Sequence, residues 1–158
     1  MSTPYTYYRP AADEQELSAY FAERLGLVRS FAAQPFPLRG DRWWVDTFAP
    51  DEDWDGEAAR IGTDDLLIIT FEIGRHLVGD AYFQAHLDLF GAVVDQLNDT
   101  PGLTGMLVHG DEKVLIERSP GGPTLLDPSL ADPGDYNFGD HLAPVLSRAA
   151  VAPLRELD

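Results

Sequence analysis

Four histidines, one carboxylate inside an apolar run and one dense acidic cluster are the side chains of this chain whose types could carry chemistry. His76, His86, His109 and His141 are the candidates for metal ligation by nitrogen, and the absence of cysteine removes thiolate zinc sites, disulfide frameworks and cysteine nucleophiles. His76 and His86 do not have the four-residue spacing on one helical face that zinc hydrolases use. Glu72 lies in the run Leu66-Leu67-Ile68-Ile69-Thr70-Phe71-Glu72-Ile73. A carboxylate in a covered sheet is desolvated and its pKa rises toward the range of a general base, whereas an edge position or pairing with Arg75 leaves it inert. Ser119 precedes Pro120-Gly121-Gly122 and stands outside any Gly-x-Ser-x-Gly elbow. Neither a phosphate-binding glycine loop nor a dinucleotide fingerprint occurs. These patterns predict no catalytic residue, no cofactor and no metal site.

The acidic cluster is the more informative feature. Asp51, Glu52, Asp53, Asp55 and Glu57 place five negative charges within seven residues around Trp54. The alternation of Asp51, Asp53 and Asp55 with Gly56 resembles the start of a calcium loop, but Gly62 occupies the place where a bidentate Glu is required. The segment reads either as a solvated loop or as a partner-binding surface in which Trp54 is the anchor and the carboxylates steer. Its tryptophan either folds back on Trp43 or Trp44 or stays available. Eleven Lys and Arg against 27 Asp and Glu give a formal charge of −16, which repels nucleic acid and anionic membranes. The expected counterpart is a basic protein; the plainer alternative is an acidic surface that confers solubility.

The elements that must position these residues are legible in outline. Leu66 to Ile73 is bounded by Asp64-Asp65 and Gly74, as expected of a strand covered on both faces. Phe83, Leu87, Phe90, Val94 and Leu97 form one apolar stripe on a helix. That helix and the strand would each extend roughly 27 Å, so they match in length. Tyr5-Thr6-Tyr7-Tyr8 predicts a first strand ending at Pro10, its tyrosines filling a half-buried sheet face. A helix capped by Asp13 and ended by Gly26 presents Leu17, Tyr20, Phe21 and Leu25. Leu27-Val28-Arg29 begins another strand, Gln34 to Leu38 is too proline-rich for regular pairing, and Trp43 to Phe48 favours a strand. Gly105 to Val108 and Val114 to Ile116 flank Gly110-Asp111 as a hairpin. Thr124 to Leu126 predicts a last short strand, followed by a long acidic loop containing Asp132, Asp135 and Asp140 and a short helix, His141 to Leu146, capped by Asp140.

These elements predict an α+β fold, with a mixed or largely antiparallel sheet of five to six strands, two main helices on one face and a short C-terminal helix. One domain would cover residues 1–158, with a loop-rich acidic region from about 119. The N-terminus lacks a basic segment followed by an apolar one, and no run approaches the roughly 18 apolar residues of a membrane span. A cytoplasmic location is the expectation.

The tyrosine-rich first strand, the helix ending Leu25-Gly26-Leu27, the long apolar strand and helix, the hairpin Val108-His109-Gly110-Asp111-Glu112-Lys113-Val114, and Arg118 followed by Gly121-Gly122 and Leu125-Leu126 together resemble the Sit-type immunity proteins of bacterial contact-dependent toxin systems. The likeness spans roughly residues 5 to 127. It implies a small cytoplasmic protein that binds and neutralises a cognate toxin and carries no catalytic residues. An acidic nucleic-acid mimic is the second reading, although its carboxylates should form a regular array. An enzyme joining Glu72 to a histidine is the third.

Overall fold

The computed structural model describes residues 3–50, 52–132 and 140–157. Strand β1, Tyr5–Pro10, leads into helix α1, Glu14–Leu25. Asp13 caps that helix by accepting from the N–H groups of Gln15 and Glu16 at 2.8 and 3.4 Å, and Gly26 ends it at φ 66°. Two short strands, β2 at Val28–Arg29 and β3 at Leu38–Arg39, precede β4, Trp43–Phe48. A 3₁₀ turn at Glu52–Trp54 runs into helix α2, Asp55–Ile61. The central strand β5, Leu66–Ile73, is followed by the long helix α3, Gly79–Asp99. Strands β6, Gly105–His109, and β7, Lys113–Arg118, form the expected hairpin. Strand β8, Thr124–Leu126, a 3₁₀ turn at Pro128–Leu130, helix α4, Ala143–Leu146, and strand β9, Ala150–Val151, complete the order.

One sheet runs through the molecule in the order β2-β3-β4-β5-β1-β6-β7-β8-β9, antiparallel except for the β8/β9 pair. The fold is α+β, as expected, but the described sheet has nine strands where the sequence predicts five or six. Leu27-Val28-Arg29 does supply a strand, β2, whereas β3 and β9, each two residues long, are too short to display an alternating pattern. Gln34 to Leu38 is mostly irregular, yet Leu38 does pair, opposite Val45 and Arg29. The helical ends match the sequence signals more closely than the short strands do, because caps are local chemistry.

Alternation along the strands sorts their side chains onto two faces. The first face packs Tyr5, Tyr7, Val45, Ile69, Phe71 and Leu107 against Leu17 and Phe21 of α1, Leu89, Phe90 and Val93 of α3, and Val145 of α4. A register shift between Leu107 and Val108 marks a bulge in the β6/β7 ladder, and both Leu115 and Ile116 belong to this core. A polar knot sits inside it. The Tyr7 hydroxyl and an Arg9 amine each donate to Gln96 Oε1 at 2.8 Å, and burial pushes the Tyr7 phenol well above its ordinary pKa, so it remains a neutral donor.

The second face is covered over only part of its width. Tyr8, Leu66, Ile68, Met106, Val108 and Val114 pack under Ile61 of α2, with Trp54, Ala58, Leu154 and Leu157 at the margin. Helices therefore lie on both faces: α1 and α3 share one, as predicted, and α2 occupies the other. After β9 the tail crosses back over the sheet, where the Ala152 N–H donates to Leu126 O, Leu154 N–H to Asp127 Oδ1 and Leu157 N–H to Glu112 O, at 2.9, 3.1 and 2.9 Å. Among the described residues, no helix is long and apolar enough to cross a membrane.

Candidate partner-binding site

The acidic segment is helical, which corrects the expectation of a solvated loop. Ala58, Ala59, Glu57 and Arg60 are strong helix formers, and Asp55 and Glu57 in the first turn complement the helix dipole. Gly62, at φ 71°, stops the helix while its N–H donates back to the carbonyls of Ala58 and Ala59. Ile61 is fully buried and ties α2 to the second face.

Trp54 is half-buried against the Tyr8 cluster and hydrogen-bonds the Tyr8 side chain. It neither folds back on Trp43, which belongs to the core of the opposite face, nor projects as a free anchor. Its large ring helps to seat α2. Asp53 and Asp55 are exposed and Glu57 is half-buried. Glu52 lies in the 3₁₀ turn, while Asp51 and, farther along, Asp135 lie outside the described residues.

The one cation of α2 turns inward. Arg60 Nε and Nη2 donate to the two carboxylate oxygens of Glu117 at 2.7 and 2.8 Å, and both side chains are more than nine-tenths buried. This two-point contact is the geometry in which a guanidinium binds a carboxylate most strongly. Arg60 Nη2 also donates to the Arg155 carbonyl at 2.6 Å, so the same side chain holds the C-terminal segment. A groove of about 200 Å³ opens here between Asp53, Glu57, Arg60, Arg155 and Glu156. Burial pushes the Tyr8 phenol up, and the negative charges of Glu57 and Asp111 push it further against the opposing hydrogen bond from Trp54.

Several cations elsewhere are also committed to internal contacts. Arg24 and Arg148 both bind Asp95, Arg42 binds Asp88 at 3.3 Å and Lys113 binds Asp127 at 3.1 Å. Arg118 donates to the carbonyls of Leu97 in the last turn of α3, Thr100 at its C-cap and Gly122 in the β7/β8 turn. The acids are far less absorbed by such pairs, so the outward-facing charge is strongly negative.

The histidines are dispersed or buried. His86 on α3 is 1% exposed, its Nδ1 lies 2.8 Å from Tyr82 O, and its ring meets Tyr5, Trp43 and Phe90 edge-on. His109 stacks on Tyr5 at 4.5 Å, and burial lowers the pKa of both histidines. The sequence gives no signal for the Tyr5 contacts, which join residues far apart in the chain; only the placement of Tyr82, His86 and Phe90 along one helical stripe hints at them. His141 stacks on Phe83 at 4.4 Å and His76 is exposed. Among the described residues, no three His, Asp or Glu side chains are grouped so as to hold a metal ion. Glu72 is exposed and lies across from Trp44 on β4, so the covered environment that would have made it a general base is missing. Comparison with protein-family models, with curated proteins and with solved structures found no match to this chain.

Proposed function

We propose that this chain is a non-enzymatic cytoplasmic immunity protein of the Sit type, which binds and neutralises a cognate toxin domain of basic charge. The observation that carries the reading is the inward pairing of Arg60 with Glu117 beneath the exposed Asp55 and half-buried Glu57 of α2. A helix whose only cation is buried in an ion pair presents its acids outward without a compensating charge of its own. Such a surface raises the encounter rate with a basic protein and repels polyanions. The resemblance of the element order to Sit-type immunity proteins supplies the biological role, and the formal charge of −16 agrees with a basic target.

The test is coexpression with the toxin domain encoded beside this gene. Protection of growth, together with a stoichiometric complex that dissociates at high salt, is the expected result. A metabolic enzyme as the neighbour, with no complex formed, would remove the proposal.

A further inference from the structure

The part of the second face that α2 and the tail leave bare has its own composition. Pairing registers place Val28, Arg39, Trp44 and Glu72 in one row across β2, β3, β4 and β5. Asp46 and Thr70 form the next row, and Phe48 and Ile68 the one after. Directly opposed residues project to the same side of a sheet. Along the last row, burial changes abruptly: Phe48 is 51% exposed, whereas Ile68 and Tyr8, beneath α2, are 2% and 8% exposed. Trp44 is 43% exposed and Val28 60%. The two exposed aromatics of β4, Trp44 and Phe48, are thus on the same side of the strand, opposite the buried Trp43 and beyond the cover that protects the neighbouring half.

We infer that this bare sheet face, centred on Trp44 and Phe48, is where the basic protein partner seats, with the acids of α2 steering it there. The inference rests on the proposed binding of a basic protein and names the surface that holds it. Charge selects the occupant. Asp46 and Glu72 stand in the rows beside the aromatics, Asp41 lines the cleft next to Trp44, and Asp55 lines a second cleft with Pro50 and Trp54, just past the end of β4. Arg39 and Arg75 are the cations near this face, toward the Val28 margin and on the wall of the first cleft. Acids outnumber them, and a second copy of a chain carrying −16 would be repelled. Aromatic side chains ringed by polar groups are the usual centre of a protein interface, and a partner arginine could stack on Trp44 while pairing with Glu72 or Asp46.

Surface plasmon resonance against the adjacent-gene toxin domain tests this with Trp44→Ala, Phe48→Ala, a control Val78→Ala and the charge variant Asp53→Asn/Asp55→Asn. Trp44→Ala should weaken the complex by about 30-fold or more and Phe48→Ala by about 10-fold, chiefly through faster dissociation. Val78→Ala should leave it unchanged. A second measurement keeps the native fold: with Trp43 and Trp54 less accessible, Trp44 should dominate acrylamide quenching of tryptophan fluorescence, and quenching should fall when the toxin domain is added. If the charge variant slows association while both aromatic variants bind normally and quenching is unchanged, the basic partner stands and the Trp44 surface is wrong. Absence of any complex overturns both, and a Trp44-dependent homodimer in sedimentation overturns the seating of the basic partner on this face.

Discussion

Arg60 and Glu117 form a buried two-point ion pair that fastens α2 to β7, and the same guanidinium reaches the Arg155 carbonyl of the C-terminal segment. One contact therefore holds together the helix that carries the acidic surface, the sheet beneath it and the strap beside it.

Breaking that pair from one side should be costly. Glu117→Leu leaves a buried guanidinium unpaired and is expected to lose about 3 to 5 kcal/mol, whereas Arg60→Met/Glu117→Leu should recover most of it. Equilibrium urea unfolding measures both. A single-variant loss under about 1 kcal/mol would mean that the pair is not holding α2 down.

The main core makes a simpler prediction. Ile69 of β5 and Phe90 of α3 are both fully buried in one cluster, so Ile69→Ala and Phe90→Ala should each cost about 2 to 5 kcal/mol through lost burial and a residual cavity. Chemical denaturation would contradict the packing if both losses fell below about 1 kcal/mol.

The elements that hold this core were readable because their chemistry is local or repetitive. The run Leu66 to Ile73 and the stripe through Phe90 and Leu97 carry their periodicity openly, and Asp13 and Gly26 mark helix ends through contacts within a few residues. Helix α2 was not readable, since Ile61 is its one fully buried side chain and seven residues give too little periodicity to count. Strands β3 and β9, of two residues each, are shorter still. The candidate site was legible as a charge cluster but not as a geometry. Whether Trp54 is free depends on Tyr8, and whether Arg60 offsets the acids depends on Glu117, both distant in the chain. The exposure of Trp44 and Phe48 follows from where α2 stops covering the sheet, which no local pattern encodes.

Acid should destabilise the fold in two stages. Burial is the main cause of the lowered pKa of His86, so its contribution to stability is complete above about pH 6.5 and is lost as pH falls from there toward the folded value. Burial pushes the Asp127 carboxyl up, but hydrogen bonds from Ser129, the Leu154 N–H and Lys113 outweigh it and hold the carboxyl below its ordinary range. Its contribution is present above about pH 3.9 and is lost as pH falls through the lower folded value. Urea midpoints across this range should show His86→Phe reducing the first slope and Asp127→Asn reducing the second. Unchanged slopes in either variant would remove that group from the account.

The kinetics of association test the central claim, that the carboxylates of the 3₁₀ turn and α2 recruit a basic partner, most directly. The chain and a variant carrying Asp53→Asn, Asp55→Asn and Glu57→Gln would be measured against the adjacent-gene toxin domain at low and high salt. Association should be slower for the variant and less sensitive to salt, with dissociation altered little. Equal association rates and equal salt dependence for the two folded proteins would contradict it.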